Sequence, residues 1–341
     1  MLRYVIIFFI GFFYSSGCSP LPCKLPSYYA PDPDAAYTVQ EVRVPTPKGY
    51  SLAGTLTLTS DFPSPYPAVV LITGSHPQDR DMLGSHKEPI NKYRPFRQLA
   101  DALSRKGIAV LRMDDRGYGC SEGGDINNAT IPERAEDIEA GLDYLRGRKE
   151  IDNHRLGLLG ISEGANIGLM IAAADPTIQA LVVMAGSASS GREILEWQVL
   201  YDTAQIEGIT DEERDRILEQ RLKDVEKWIA GGQTKPWRKS FVEYNPLSSA
   251  RKVLCPVLII HGDRDSHVPV EHARLLAEAI MAGGNTDVTV RILHNHNHLF
   301  LKDADGRFTN KRYLKLLIHT NKLSENLLKL VSDWFSSRLT T

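Results

Sequence analysis

Cysteine is scarce in this chain, four residues in 341, and no two stand at metal-ligand spacing. Neither a structural zinc site nor a disulfide framework can be read from so few. A charge excess is also missing. Lys and Arg total 40 against 42 Asp and Glu, a formal net charge of −2. That balance leaves no basic footprint for a nucleic acid and no polybasic patch for a membrane surface. Internal repeats and long low-complexity segments are absent. The apolar run Tyr4 to Tyr14, broken only by Gly11, falls short of the roughly 20 residues that a membrane span needs.

That run nevertheless has a meaning. Met1-Leu2-Arg3 puts one positive charge before it, and Ser15-Ser16-Gly17 puts small residues after it. This is the pattern of a secretory signal. Cys18 follows the small residues as the cysteine of a bacterial lipoprotein signal does, although Ser15 stands where Leu is usual. The expectation is a signal over residues 1–18, lipidation of Cys18 and export to a membrane-anchored position. A plain cleaved signal and a retained anchor are the alternatives. Residues 19–36 hold Pro20, Pro22, Pro26, Pro31 and Pro33 and read as an extended tether. Lipidation of Cys18 would leave Cys23, Cys120 and Cys255, an odd number whose pairing stays open.

From Val39 the pattern becomes that of a folded body. Val39, Val42 and Val44, a turn at Pro45 to Gly49, and the alternation of Leu52 to Leu58 predict an antiparallel pair with one buried face. Strands and helices then alternate. Ala68–Ile72, Ile108–Arg112, Leu156–Leu159, Ala180–Met184, Pro256–Ile260 and Val288–Leu293 read as strands. Pro95–Lys106, Pro132–Arg148, the segment after Ser162, Val270–Met281 and Ser324–Ser336 read as helices. Such repetition predicts a mostly parallel sheet covered on both faces. Residues 188–250 interrupt it. They are polar and strand-free, with a capping box at Thr210 to Glu213 and apolar residues at Leu218, Leu222, Val225 and Ile229. This predicts an inserted helical cap between core segments 37–187 and 251–341. Trp197, Trp228 and Trp237 fall in it, either as cap packing or as lining of an acyl pocket.

The chemistry lies at the strand ends. Gly160-Ile161-Ser162-Glu163-Gly164 fits G-x-S-x-G between a strand and a helix, the context of a nucleophile elbow. A serine nucleophile needs a base, and the base needs an orienting acid. Proteins with such an elbow place the acid and then the histidine downstream. Asp265, in the loop after Ile260, is the expected acid. Asp263 is its rival and is otherwise a turn cap. His294, His296 and His298 all follow the last strand, and location alone does not choose among them.

Several stretches together resemble the α/β-hydrolases, specifically bacterial serine esterases of the dienelactone-hydrolase-like group. They are Thr73-Gly74-Ser75-His76-Pro77-Gln78-Asp79-Arg80-Asp81, Asp114-Asp115-Arg116-Gly117-Tyr118-Gly119-Cys120-Ser121, Ser162-Glu163-Gly164, Gly262 to Asp265, and Asn297-His298-Leu299-Phe300. His76 and Ile161 depart from the group's usual residues, without touching the expected triad. The resemblance implies the α/β-hydrolase fold, with eight strands, flanking helices and a cap. It also implies His298 as the base and a carboxylic ester, by default short-chain, as substrate. It implies that the backbone N–H groups of Ser75 and Glu163 form the oxyanion hole. A pair of Arg80 with Asp79 or Asp81 would brace the Ser75 loop. No metal or cofactor is implied. The alternatives are a peptidase or acyl-aminoacyl hydrolase on the same fold and, from another class, a surface-anchored binding protein on an inactive one.

Overall fold

The computed structural model describes residues 29–31, 35, 37–83, 93–304, 306 and 321–340. The expected signal over residues 1–18, the lipid site Cys18 and most of the 19–36 tether lie outside the described residues.

Eight strands form one sheet in the order β1-β2-β4-β3-β5-β6-β7-β8. They are β1 (Tyr37–Pro45), β2 (Ser51–Thr59), β3 (Tyr66–Ile72), β4 (Ala109–Met113), β5 (Ile151–Ile161), β6 (Ile178–Met184), β7 (Val257–Gly262) and β8 (Val288–Leu293). β1 to β2 and β2 to β4 are antiparallel, and every later pairing is parallel. The continuous Val, Ile and Leu runs follow from this arrangement. Val70, Ile72, Leu158, Leu181, Val183 and Ile259 face one apolar layer. Their chain neighbours Val69, Leu71, Leu159, Val182 and Leu258 face the other. The period of two therefore sends apolar side chains to both faces, because helices cover both.

On the first face lie α2 (Ile131–Arg146), α3 (Glu163–Ala174) and α8 (His272–Ala282); on the second lie α1 (Pro95–Ser104) and α9 (Glu325–Leu339). Their termini carry readable signals. Thr130 and Glu133 form a capping box on α2, and Ser324 accepts from Leu327 N on α9.

Two expectations are corrected here. β2 is buried along both faces from Leu52 to Thr59, not half-exposed. Arg80 pairs with neither Asp79 nor Asp81. It holds Asp114 through two hydrogen bonds of 3.0 Å, with Nη1 donating to Thr55 Oγ1 at 2.8 Å and Glu41 at 2.6 Å. Arg80 is fully buried, and an ion so placed needs several partners at once, which a neighbouring aspartate in a tight turn cannot supply. Asp79 instead caps its own turn by accepting from Asp81 N and Leu83 N, and Asp81 pairs with Arg112. Tyr29 lies over the Arg80 guanidinium at 4.1 Å and is 2% exposed, so this residue of the proline-rich segment is docked on the body. At Thr55, Arg80 and Glu41 meet the face of β2 that the sequence left to water.

Between β6 and β7 the chain forms α4 (Gly191–Ala204), α5 (Asp211–Ala230), α6 (Pro236–Glu243) and α7 (Pro246–Ala250). The capping box predicted at Thr210 is present, and Leu195, Val199, Val225, Ile229 and Val242 make a separate apolar cluster. Ala250 of α7 joins the body's core instead. Cys255 is a free thiol, whereas Cys120 is disulfide-bonded to a partner outside the described residues. No helix among the described residues is long and apolar enough to cross a membrane.

Candidate active site

Ser162 sits between β5 and α3 with φ 58° and ψ −122°, a left-handed conformation that a non-glycine residue adopts only under constraint. The flanking glycines supply the constraint. A Cβ on Gly160 would lie 2.1 Å from Gly164 O, and one on Gly164 would lie 2.3 Å from Ile72 O. Only bare backbone lets β3, the elbow and α3 approach so closely. The serine is half-buried and stands at the positive end of α3.

Asp265 follows β7 and is buried. Its Oδ1 accepts from His267 N at 2.8 Å and Val268 N at 3.0 Å. Its Oδ2 lies 2.8 Å from His298 Nδ1 and 3.1 Å from His261 Nε2. Burial pushes this carboxyl up, but His298 and His261 outweigh it and hold the group well below the usual carboxylate range. Asp263, the rival, faces elsewhere. It accepts from Asn295 N at 2.7 Å and lies 2.6 Å from His294 Nδ1. His296 Nδ1 lies 2.8 Å from the carbonyl of His294. The structure thus brings His298, and neither of the other two loop histidines, to Asp265.

The His298 loop is held from several sides. Asn297 Oδ1 accepts from Leu299 N and Leu301 N, both at 3.1 Å, and Tyr93 donates to the Leu299 carbonyl. Phe300, with φ 57°, is 1% exposed. The His267 ring stacks on His298 with centroids 4.6 Å apart, and burial, then His298, depress its pKa strongly. Asp265, His267 and His298 offer buried ligand atoms within 4.8 Å of one another. A cation there would compete with the Asp265–His298 hydrogen bond. Among the described residues no hydrogen bond joins Ser162 to His298.

The loop after β3 passes in front of the elbow. A Cβ on Gly74 would lie 3.4 Å from Ser162 Cβ. Thr73 Oγ1 and Gln78 N donate to the two oxygens of Asp115, at 2.6 and 2.9 Å, so one carboxylate ties both ends of the loop. Burial, opposed by Arg134 and by the hydrogen bonds, pushes Asp115 up to about 7. Arg116 is bound to Asp137, which makes the Asp114-Asp115-Arg116 stretch a brace. The Ser75 and Glu163 N–H groups donate to no other group among the described residues.

Sequence reasoning missed the Glu163 side chain. It is buried, pairs with Arg134 of α2, and accepts from Ser75 Oγ at 3.0 Å and from Trp237 Nε1 of α6 at 3.1 Å. Arg134 also donates to Gly74 O at 2.8 Å. One signal was available: Arg134 occupies the apolar stripe of Ile131, Ile138, Leu142 and Leu145, where an arginine must be paired. His261 was missed likewise, a histidine closing a strand that is otherwise buried and apolar.

Comparison with known proteins bears on the family and the fold. The BD-FAE family profile matches residues 56–280, and that of the dienelactone hydrolase family matches residues 241–337. Esterase EstD of Thermotoga maritima is 28% identical over 296 residues, covering 86% of this chain and 66% of EstD. The uncharacterized peptidase YtmA of Bacillus subtilis is 25% identical over 234 residues, covering 64% of this chain and 82% of its own. In structure, the Pyrococcus furiosus esterase Pf2001 superposes with a TM-score of 0.58 at 17% identity, covering 93% of this chain and 94% of its own. The profile match spans the sheet from β2 through the elbow and cap to α8, and the superposition extends the likeness to nearly the whole fold. The chain therefore belongs to the BD-FAE family, on the α/β-hydrolase fold.

Proposed function

We propose that this protein is a serine hydrolase that cleaves short-chain carboxylic esters through an acyl-enzyme. The observations that carry the reading are the buried Asp265–His298 hydrogen bond and a serine in the strained elbow conformation, all three residues lying past the ends of parallel strands β5, β7 and β8. Ser162 Oγ attacks the ester carbonyl while His298 Nε2 takes its proton. Asp265 fixes the tautomer by accepting from Nδ1–H and stabilises the imidazolium. The N–H groups of Ser75 and Glu163 receive the negative charge of the tetrahedral intermediate. His298 returns the proton to the departing alcohol, and water, activated by the same histidine, releases the acid. The likeness to EstD supports an ester substrate, and the likeness to YtmA favours an amide as the second reading. A p-nitrophenyl ester series from acetate to decanoate, run beside p-nitroanilides, separates them. The ester reading expects the highest kcat/KM on the shortest acyl groups. Faster turnover of an anilide than of any ester would replace it with the peptidase.

We also propose export with a lipid anchor on Cys18. The disulfide at Cys120 supports an oxidising compartment. With Cys255 free, Cys18 and Cys23 are the remaining cysteines. Lipidation needs a free Cys18 thiol. Non-reducing peptide mapping that links Cys18 to Cys120 would end the lipoprotein reading.

A further inference from the structure

The Glu163 carboxylate joins three parts of the molecule. It belongs to the nucleophile elbow, takes the hydroxyl of Ser75 from the oxyanion loop, and takes the indole N–H of Trp237 from the cap. Arg134 closes the circuit by bonding both Glu163 and the carbonyl of Gly74. The indole is fixed on the cap side, stacked on Phe241 at 5.3 Å and edge-on to Trp228 at 6.4 Å. The same helix α6 docks on α2 through Ser240 Oγ, which accepts from Ile131 N at 3.0 Å.

We propose that Trp237 and Glu163 are positioning residues that couple cap docking to the oxyanion hole. The inference rests on the serine-hydrolase reading above. A buried carboxylate next to a site where an oxyanion develops opposes that charge unless donors surround it. Here Arg134, Ser75 and Trp237 surround it, and only Trp237 comes from the cap. Undocking of α6 withdraws the indole N–H and leaves the carboxylate under-solvated. The carboxylate then draws on Ser75 and Arg134, and the Ser75 and Glu163 N–H groups lose their aim. Chemistry therefore runs with the cap docked. Acyl groups that hold α6 off its seat lose turnover more than binding, so selectivity for short acyl chains is expressed in kcat.

The test uses the full chain and Trp237→Phe, which keeps the ring stack and removes the N–H. The expected result on p-nitrophenyl acetate is a kcat about tenfold lower, less than the 10²–10³ of losing an oxyanion donor outright, with KM changed less than about threefold. Affinity for phenylboronic acid, which presents a tetrahedral oxyanion on Ser162, should weaken by a similar factor. Glu163→Gln should lower kcat as well, and the double variant should fall short of the product of the two effects. In the wild type, lengthening the acyl chain should lower kcat with little rise in KM. Wild-type kcat and boronate affinity in Trp237→Phe, full additivity of the two substitutions, or an acyl-length effect confined to KM would each overturn the coupling. A wild type that neither hydrolyses esters nor takes the boronate at Ser162 would defeat the serine-hydrolase reading itself, and the coupling with it.

Discussion

The sheet body and the cap are held by very different amounts of the same interaction. Strands β3, β6, β7 and the Leu156–Ile161 half of β5 are buried on both faces, and their side chains extend into two large apolar layers. The cap's own cluster has five buried residues, and its longest helix, α5, buries two of its twenty. At about 1.5–3 kcal/mol per fully buried apolar side chain, the cap gathers too little to hold four helices rigid alone. Its seat depends on contacts with the body, such as Trp237 on Glu163 and Ser240 on Ile131. The body decides whether the protein is folded, and in the coupling proposed above the cap's position affects whether the site is assembled.

Substitutions test that contrast, starting with the chemistry the body presents. Ser162→Ala should lower ester turnover by roughly 10⁴-fold or more with no change in melting temperature. His298→Ala should be similarly inactive, while His294→Ala and His296→Ala keep a substantial fraction. Retained activity in His298→Ala, read by steady-state assay, would move the base elsewhere. Asp265→Asn comes next, at about 10²- to 10⁴-fold, against a few-fold for Asp263→Asn, whose partners are His294 and Asn295. The reverse order would exchange the two aspartates.

The body–cap contrast itself is read by stability. Leu158→Ala, at a fully buried strand position, should cost about 2–5 kcal/mol in urea unfolding. Leu195→Ala in the cap cluster should cost about 1–2 kcal/mol and leave the sheet intact. Hydrogen exchange should show α5 amides opening far more readily than those of β5. Equal protection of the two would mean that cap and body unfold as one unit. A further prediction concerns pH. Burial raises Asp115 to about 7, against about 3.9 in an unfolded chain. The fold favours its protonated form, so this contribution is full below about pH 4 and is lost as pH rises through 7. Asp115→Asn should flatten the corresponding fall in melting temperature between about pH 4 and 7. An unchanged slope would assign that fall to other groups.

The body was far more legible than the cap and its contacts. Period-two apolar runs and glycine-flanked turns are local signals, and they sufficed for the strand order's parallel character and for the elbow. The pairing of His298 with Asp265 joins segments 33 residues apart, and neighbouring histidines made it ambiguous until a family resemblance was added. What escaped were polar residues whose partners come from distant segments. Arg80 finds Asp114, Thr55 and Glu41. Glu163 finds Arg134 and Trp237. β2 was read as half-wet because its threonines are polar, and only the assembled ionic cluster shows how Thr55 is buried, between Glu41 and Arg80. Spacing along a chain carries no record of which buried charge meets which.

The central claim is that Ser162 is the activated nucleophile, and a fluorophosphonate probe tests it most directly. The folded wild type should be labelled covalently, with the adduct mapped by mass spectrometry to Ser162 alone, and Ser162→Ala should take no label. A folded wild type that resists the probe, or an adduct on another serine, would contradict the account.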